Sequence, residues 1–193
     1  MALLTIDFHV RGLAPVMFHN PRLADPTDEL VRRLKVLTGK RKKTDADHTE
    51  IGRLEFLGGL YTDRPDGPNG RSRVVVEGTM IEGMLLSAAK TKRRGPACKS
   101  GTMSDGNWPL IYKGPQDAEK LYVKPFIDYR RVDVQGSAVF RTRPIFHEWE
   151  LKFSVTIIPE QCDPDEVREW VAVAGRQCGL GDYRPKFGRF EVV

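Results

Sequence analysis

The sequence predicts an α+β fold on a βαββαβ frame, and three stretches carry that expectation. Ala2 to Arg11 alternates, with Leu4, Ile6, Phe8 and Val10 on one face and Thr5, Asp7, His9 and Arg11 on the other, as a half-buried strand does. Glu148 to Ile158 repeats the pattern through Trp149, Leu151, Phe153, Val155 and Ile157. Between them, Val74 to Val76 meets Glu77-Gly78-Thr79 and then Met80, Ile81, Met84, Leu85 and Ala88 at helical spacing: strand, tight turn, helix.

The remaining elements follow in order. Asp25-Pro26-Thr27 reads as a helix start with proline in the first turn, Leu30, Leu34 and Leu37 as its apolar stripe, and Gly39 as its stop. The basic run after Gly39 is a loop. Asp47 to Tyr61 is a second helical pattern, weakened by Gly52, Gly58 and Gly59, and Asp63 to Gly70 is turn-rich. In the organising stretch Thr79 is placed to cap the helix, Gly78 lets another chain approach closely, and free N–H groups there favour an anion such as phosphate. An ordinary capped core helix explains the same residues without a ligand. Gly95 to Gly114, with Trp108 and Leu110-Ile111-Tyr112, reads as an irregular insertion or a long functional loop. Arg131 to Arg143 reads as a hairpin about Gln135-Gly136-Ser137. Asp163-Pro164-Asp165-Glu166 starts a helix striped by Val167, Trp170, Val171 and Ala174, Gly179 ends it, and Phe187 to Val193 is the last strand. Removing the helix and hairpin inserted after the second strand leaves βαββαβ, the split, RRM-like arrangement of a ferredoxin-like fold. Residues 1–193 then form a single domain with insertions at about 39–72 and 95–147. The first strand puts no aromatic on the open sheet face, which argues against a standard RNA-recognition motif.

At 193 residues and 40% hydrophobic, the chain suits one domain with a real core. No apolar run approaches a membrane span, and Asp7, His9 and Arg11 interrupt the N-terminal apolar residues, so the expectation is a cytoplasmic protein with no membrane partner. Cys98, Cys162 and Cys178 are odd in number and far apart, which points to free thiols rather than disulfides or a zinc knuckle. The net charge of +5 is unevenly spread. Arg32, Arg33, Lys35, Lys40, Arg41, Lys42 and Lys43 form one cluster, Lys90 to Lys99 a second, and Arg130, Arg131, Arg141 and Arg143 a third, while acids gather in Glu160 to Glu169. Each cluster alone fits a solvated face; three together favour nucleic acid over a membrane surface.

Glu77-Gly78-Thr79-Met80-Ile81-Glu82-Gly83-Met84-Leu85 resembles the signature that opens a helix in the RAMP superfamily of CRISPR effector proteins, with Glu77 where that family usually has proline. Gly179-Leu180-Gly181-Asp182-Tyr183-Arg184-Pro185-Lys186-Phe187-Gly188-Arg189-Phe190 resembles the family's C-terminal glycine-rich loop running into the last strand. The nearest relatives implied are backbone subunits that polymerise along a guide RNA, or a stand-alone relative carried by a phage or mobile element. The resemblance implies a binder of single-stranded nucleic acid, RNA before DNA, that contacts phosphates and associates with itself or with RAMP-like partner subunits. The hairpin is then a thumb reaching the next copy. Phosphate contacts are expected at Arg32, Arg33, Lys42, Lys43, Lys90, Arg141 and Arg143, and at a wall built from Gly78, Thr79, Gly179, Gly181, Arg184, Lys186, Gly188 and Arg189. A helix end and turn with charges facing water is the plainer account of that loop.

Four histidines, His9, His19, His48 and His147, lie in different elements and none has metal-ligand spacing, so neither metal nor cofactor is expected. A metal-independent ribonuclease needs a general base beside a cation, and His19 near Arg22 or His48 after the basic run can supply it. Asp25 and Asp28 stand roughly where some backbone subunits place a cleaving aspartate. Loop and capping roles explain these residues equally, and binding without catalysis is the favoured expectation. The alternatives are an endoribonuclease on the same fold, and a protein-interaction module or anti-defence mimic without nucleic acid.

Overall fold

The computed structural model describes residues 2–63, 72–134 and 136–193, so most of the turn-rich stretch from Asp63 to Gly70 lies outside the described residues. The described chain is α+β, with five α-helices and two antiparallel sheets. β1 is Leu4–Gly12 and β2 Val16–Met17; a 3₁₀ turn at Pro21–Ala24 leads to α1, Glu29–Thr38, and α2, Asp45–Gly59. β3, Val75–Glu77, passes directly into α3, Gly78–Thr91, followed by α4, Gly95–Gly101, β4, Thr102–Met103, and β5, Asn107–Ile111. β6, Ile127–Val134, and β7, Ser137–Phe146, form the hairpin, then come β8, Glu150–Ile157, α5, Pro164–Val173, and β9, Phe190–Val192.

The larger sheet runs β3-β5-β8-β1-β9, with β4 added at the end of β8; the smaller runs β2-β7-β6. β1 and β8 pair over their whole length, Leu4 opposite Ile157 and Arg11 opposite Glu150. The alternation read from sequence therefore closes into one face. Ile6, Phe8 and Val10 join Leu151, Phe153, Val155 and Ile157 in the core, with the Phe8 and Phe153 rings stacked at 5.3 Å. Ile81, Met84 and Leu85 of α3 and Val167, Trp170 and Val171 of α5 complete that core, and the two helices pack on each other. The opposite face is polar: Asp7 accepts from Ser154 at 2.5 Å, and Glu150 binds His9 at 2.7 Å and Arg11 at 3.1 Å.

Several boundaries differ from the sequence reading. Gly95 to Gly114 is regular, because Pro96 stands in the first turn of α4 and β5 finds partners on both edges, in β3 and β8. β3 consequently sits at the sheet edge, one strand away from β8. Asp25 accepts hydrogen bonds from the Thr27 N–H and hydroxyl, which makes a separate turn there and delays α1 until Asp28 caps it. The hairpin is longer than Arg131 to Arg143, and the last strand is shorter than Phe187 to Val193. Among the described residues no helix is long and apolar enough to cross a membrane, and Cys98, Cys162 and Cys178 are free thiols.

The start of α3 corrects one expectation in detail. Glu77, not Thr79, is the N-cap residue, and the Thr79 hydroxyl donates to the Glu77 carboxylate at 3.3 Å. Gly78 donates its N–H to Gly106 O at 2.8 Å, and a Cβ there would overlap the Ser104 carbonyl. The chain that Gly78 lets approach is thus the protein's own 104–106 segment. Gly78→Ala should lower unfolding stability by at least about 3 kcal/mol, seen as a fall in the urea midpoint, because backbone must move to admit the methyl group. An unchanged midpoint would show that the packing here is slack.

Candidate functional site

The glycine-rich loop begins where α5 loosens into a π-helical turn, Ala174–Cys178, ended by Gly179 at φ 77°. Gly181 and Gly188 are also left-handed, at φ 81° and 74°. None of the three exposes a vacant cradle. A Cβ on Gly179 would lie 2.5 Å from Phe187 O, and on Gly181 or Gly188 it would overlap the carbonyls of Met17 or Leu180. The loop donates inward: Gly179 N–H to Ala174 O, Asp182 N–H to Met17 O and Gly188 N–H to Pro15 O, at 2.7 to 2.8 Å. These glycines therefore let the loop close on the β1–β2 connection, and the N–H groups of Gly179 and Gly188 are used within the fold instead of standing free as the sequence reading expected.

The loop is also fastened to the root of the hairpin. Tyr183 adopts φ 59°, which costs a non-glycine residue about 1 kcal/mol. The guanidiniums of Arg130 and Arg143 each stand 5.5 Å from its ring centre, and Arg130 lies 4.9 Å from that of Phe187. Such cation–π contacts hold the strained residue in place. Arg143 also faces Asp182 at 3.3 Å, with both groups largely shielded from water and out of line for a hydrogen bond.

Two clefts open beside this scaffold. The first, of about 190 Å³, is lined by His19, Tyr61, Thr79, Met80, Gly83, Gly181, Asp182 and Arg184. It brings the first turns of α3 and the glycine-rich loop onto one wall. Gly83 is unlike the other glycines of the two stretches: a Cβ there would meet nothing within 4 Å. A mid-helix glycine gives up about 1 kcal/mol of helix propensity against alanine, and among the described residues no close packing at the Cβ position requires it. Arg184 is exposed and pairs with no described carboxylate. Burial, helped by Glu77 and Asp182, pushes the Tyr61 phenol up to about 12, so it remains a hydrogen-bond donor.

The second cleft, of about 290 Å³, lies between α1, α2 and the hairpin, lined by His19, Leu23, Leu34, Glu55, Val132, Arg141, Thr142 and Arg143. His19 borders both clefts. The protein packed around its ring, and then the Arg143 cation, lower its pKa, so the neutral imidazole persists below the usual range. Glu55 is only 5% exposed; it accepts from Arg141 Nη1 and, at 2.9 Å, from the Thr142 N–H.

The other candidates separate by what they touch. Burial opposes charge on Asp28, but hydrogen bonds from Arg22 at 2.7 and 3.0 Å and from the first turn of α1 outweigh it and hold the carboxyl low. Asp25 is held low by Thr27. Both aspartates are thus a cap and a turn. His48 is exposed in the first turn of α2 and borders neither cleft. Arg33 pairs with Glu50, and Lys43 donates to Lys40 O. Lys92 and Arg94 pair with Glu169 and Glu166 of α5, so the acidic helix neutralises two of the five cations of the second basic cluster. Lys186 lies over Phe187 and Arg189 donates to Pro185 O. Arg32, Lys42 and Lys90 are exposed and pair with no described carboxylate. The hydrophobic pattern could not flag Tyr61 for the cleft, and Gly83, although it lies inside the signature that opens α3, takes no site role from sequence. Among the described residues no group of three His, Cys, Asp or Glu is placed to hold a metal ion. In comparisons with known proteins, no family model and no curated protein matches this chain.

Two measurements test this geometry. Arg141→Ala should destabilise the fold by about 3 kcal/mol, because it strands the Glu55 charge in a buried position, whereas Arg184→Ala should leave the unfolding midpoint unchanged. Equal midpoints would mean that Glu55 is solvated. His19 has a folded pKa below its unfolded value of 6.5, so the unfolded chain binds the additional proton as pH falls past that point. Its contribution to stability is whole above 6.5 and declines as pH falls through the lowered folded value. Between about pH 7.5 and about pH 5 the parent should lose more stability than His19→Gln; parallel curves would disprove the shift.

Proposed function

We propose that this protein binds single-stranded nucleic acid, RNA in preference to DNA, on a ferredoxin-like frame of RAMP type, with phosphate held in the cleft between α3 and the glycine-rich loop. Gly83 carries the reading. Its missing side chain leaves room over a helix at a place that no described residue fills, beside the Arg184 cation and the Tyr61 and Thr79 hydroxyls, whose long bonds to His19 O and the Glu77 carboxylate, at 3.4 and 3.3 Å, would be exchanged for ligand oxygens. Close approach to backbone with a cation and hydroxyl donors alongside suits a phosphodiester. Strand order supports the frame. Taken as β1, α3, β5, β8, α5, β9, the elements run βαββαβ, and the strands neighbour one another in the order fourth, first, third, second. In this reading β5 replaces Val74 to Val76 as the second strand of the frame, and the helix bearing the RAMP-like signature becomes its first helix.

Anisotropy of a fluorescent single-stranded RNA across several salt concentrations tests the proposal. Log affinity should fall linearly with log salt, and Arg184→Ala should reduce the slope by about one unit. Gly83→Leu should weaken binding at least about tenfold, and Gly83→Ala should leave the helix no less stable, since alanine is the better helix former and its Cβ meets no described atom within 4 Å. A flat salt profile, or undiminished binding by Gly83→Leu, would count decisively against the cleft. Assembly along the strand, in the manner of RAMP backbone subunits, should appear as larger sedimenting species when RNA is added.

A second reading, endoribonuclease activity, draws on one observation: His19 borders the same cleft with its pKa lowered. A neutral imidazole can accept the proton of a ribose 2′-hydroxyl, with Arg184 or Arg143 near the developing charge. Chelator-resistant cleavage of RNA but not DNA, lost in His19→Ala, is the outcome this reading requires.

A further inference from the structure

The β6–β7 hairpin carries two large aromatic side chains that the fold does not use. Tyr129 and Phe140 are 66% and 57% exposed, and neither belongs to a core cluster. They project from one face of the hairpin as diagonal neighbours, since Tyr129 pairs with Thr142 and Phe140 with Arg131. Their rings stack at 4.9 Å with an interplanar angle of 16°. A stack of two rings has two outer faces, and the exposure of both residues leaves these faces to solvent. Arg131 stands directly opposite Phe140 on the same face, and its only ion pair among the described residues is to Asp133 at 3.7 Å, with both side chains mostly in water. Such a pair is worth little, so the guanidinium remains available.

We propose that Tyr129 and Phe140 are a stacking platform for a nucleobase of the bound single strand, with Arg131 engaging the phosphate of the same nucleotide. An aromatic face with a cation one residue away matches the two halves of a nucleotide, a flat π-system and an anionic diester. Of the hairpin's four arginines, Arg130, Arg141 and Arg143 pair with Asp128, Glu55 and Asp182, which leaves Arg131 as the cation for this face. The open face of the main sheet offers no such platform on β1, whose outward residues there are Thr5, Asp7, His9 and Arg11. This proposal rests on the reading of the protein as a single-strand binder and adds base contact to a site otherwise limited to backbone.

The experiment compares a labelled oligouridylate with a strand of equal length whose nucleotides lack bases. Both present the same phosphates, so the ratio of their affinities isolates stacking. The parent should prefer the base-bearing strand by roughly five- to a hundredfold, and the Tyr129→Ala, Phe140→Ala double variant should bring the ratio close to one. The salt slope of the double variant should stay that of the parent, because no phosphate contact is removed. Phe140→Trp should keep the preference. A ratio that persists in the double variant overturns the platform while leaving the phosphate reading intact; a parent that binds neither strand overturns both. The pair is instead a contact between copies, and the platform fails, if the double variant changes the sedimentation of the nucleic-acid-free protein. If the double variant only lowers the unfolding midpoint and leaves the ratio unchanged, the rings serve the hairpin alone and the proposal is likewise overturned.

Discussion

The pairing of β1 with β8 is the constraint on which the other elements depend. Its register, Phe8 opposite Phe153 and Val10 opposite Leu151, is set by side chains that alternate with period two, so a slip of one residue would move every apolar residue of one strand into water. It would also bring Asp7, His9 and Arg11 toward the core. With the register fixed, β9 attaches to the far edge of β1 and β5 to the far edge of β8. The loop that enters β9 must then cross the end of β1, where Gly188 and Asp182 bond to Pro15 and Met17. The first cleft follows from that crossing: the loop is brought to α3 by strand order, and the residues lining the cleft need no direct attraction for one another.

Charge in this protein is organised by pairing more than by count. The three basic clusters visible in sequence face three groups of acids in the fold: Asp47 and Glu50 on α2, Glu166 and Glu169 on α5, and Glu55 with Asp182 under the hairpin. Most exposed pairs of this kind contribute well under about 1 kcal/mol each, but they remove cations from the field that an approaching polyanion meets. Arg141 illustrates the difference. It appears in sequence as one of a run of surface arginines, yet its partner Glu55 is almost wholly buried, so its first task is to neutralise the core side of the hairpin. Arg184, in the same loop as Asp182, pairs with no described carboxylate.

The α+β class and several of its elements could be read from the chain because strands and helices with one wet face advertise their period. β1, β8 and α5 are such elements, and their apolar stripes are the residues that the core contains. β5 could not be read in the same way. Its five residues, Asn107–Ile111, include a proline and show little alternation, and they become a strand because two edges are waiting for them. For the site, the proximity of the α3 turn to the glycine-rich loop was legible from two stretches and a topology, whereas the roles of their glycines were not. A glycine looks the same in sequence whether backbone, solvent or ligand takes the place of its side chain.

That ambiguity is resolved by asking what would meet a Cβ. At Gly78, Gly179, Gly181 and Gly188 the answer is a carbonyl of the same chain, and at three of these the backbone is left-handed besides, so the fold alone accounts for them. Gly83 has an ordinary helical conformation, a Cβ there would meet no described atom within 4 Å, and it lowers the helix propensity of α3. A residue that weakens its own element without relieving a contact calls for an explanation outside the chain. The same logic applies to Tyr129 and Phe140, which present apolar surface to water and add nothing to the core. Both features are costs to the isolated protein that an occupant would offset, and a single strand has parts suited to each: a phosphate for the helix surface beside Arg184, and a base, with its own phosphate near Arg131, for the aromatic stack. A peptide or a second copy could cover the rings, but neither would supply the anion that Arg184 lacks unless it also carried an acidic group in register. On that ground, nucleic acid is the simplest partner for the proposed site.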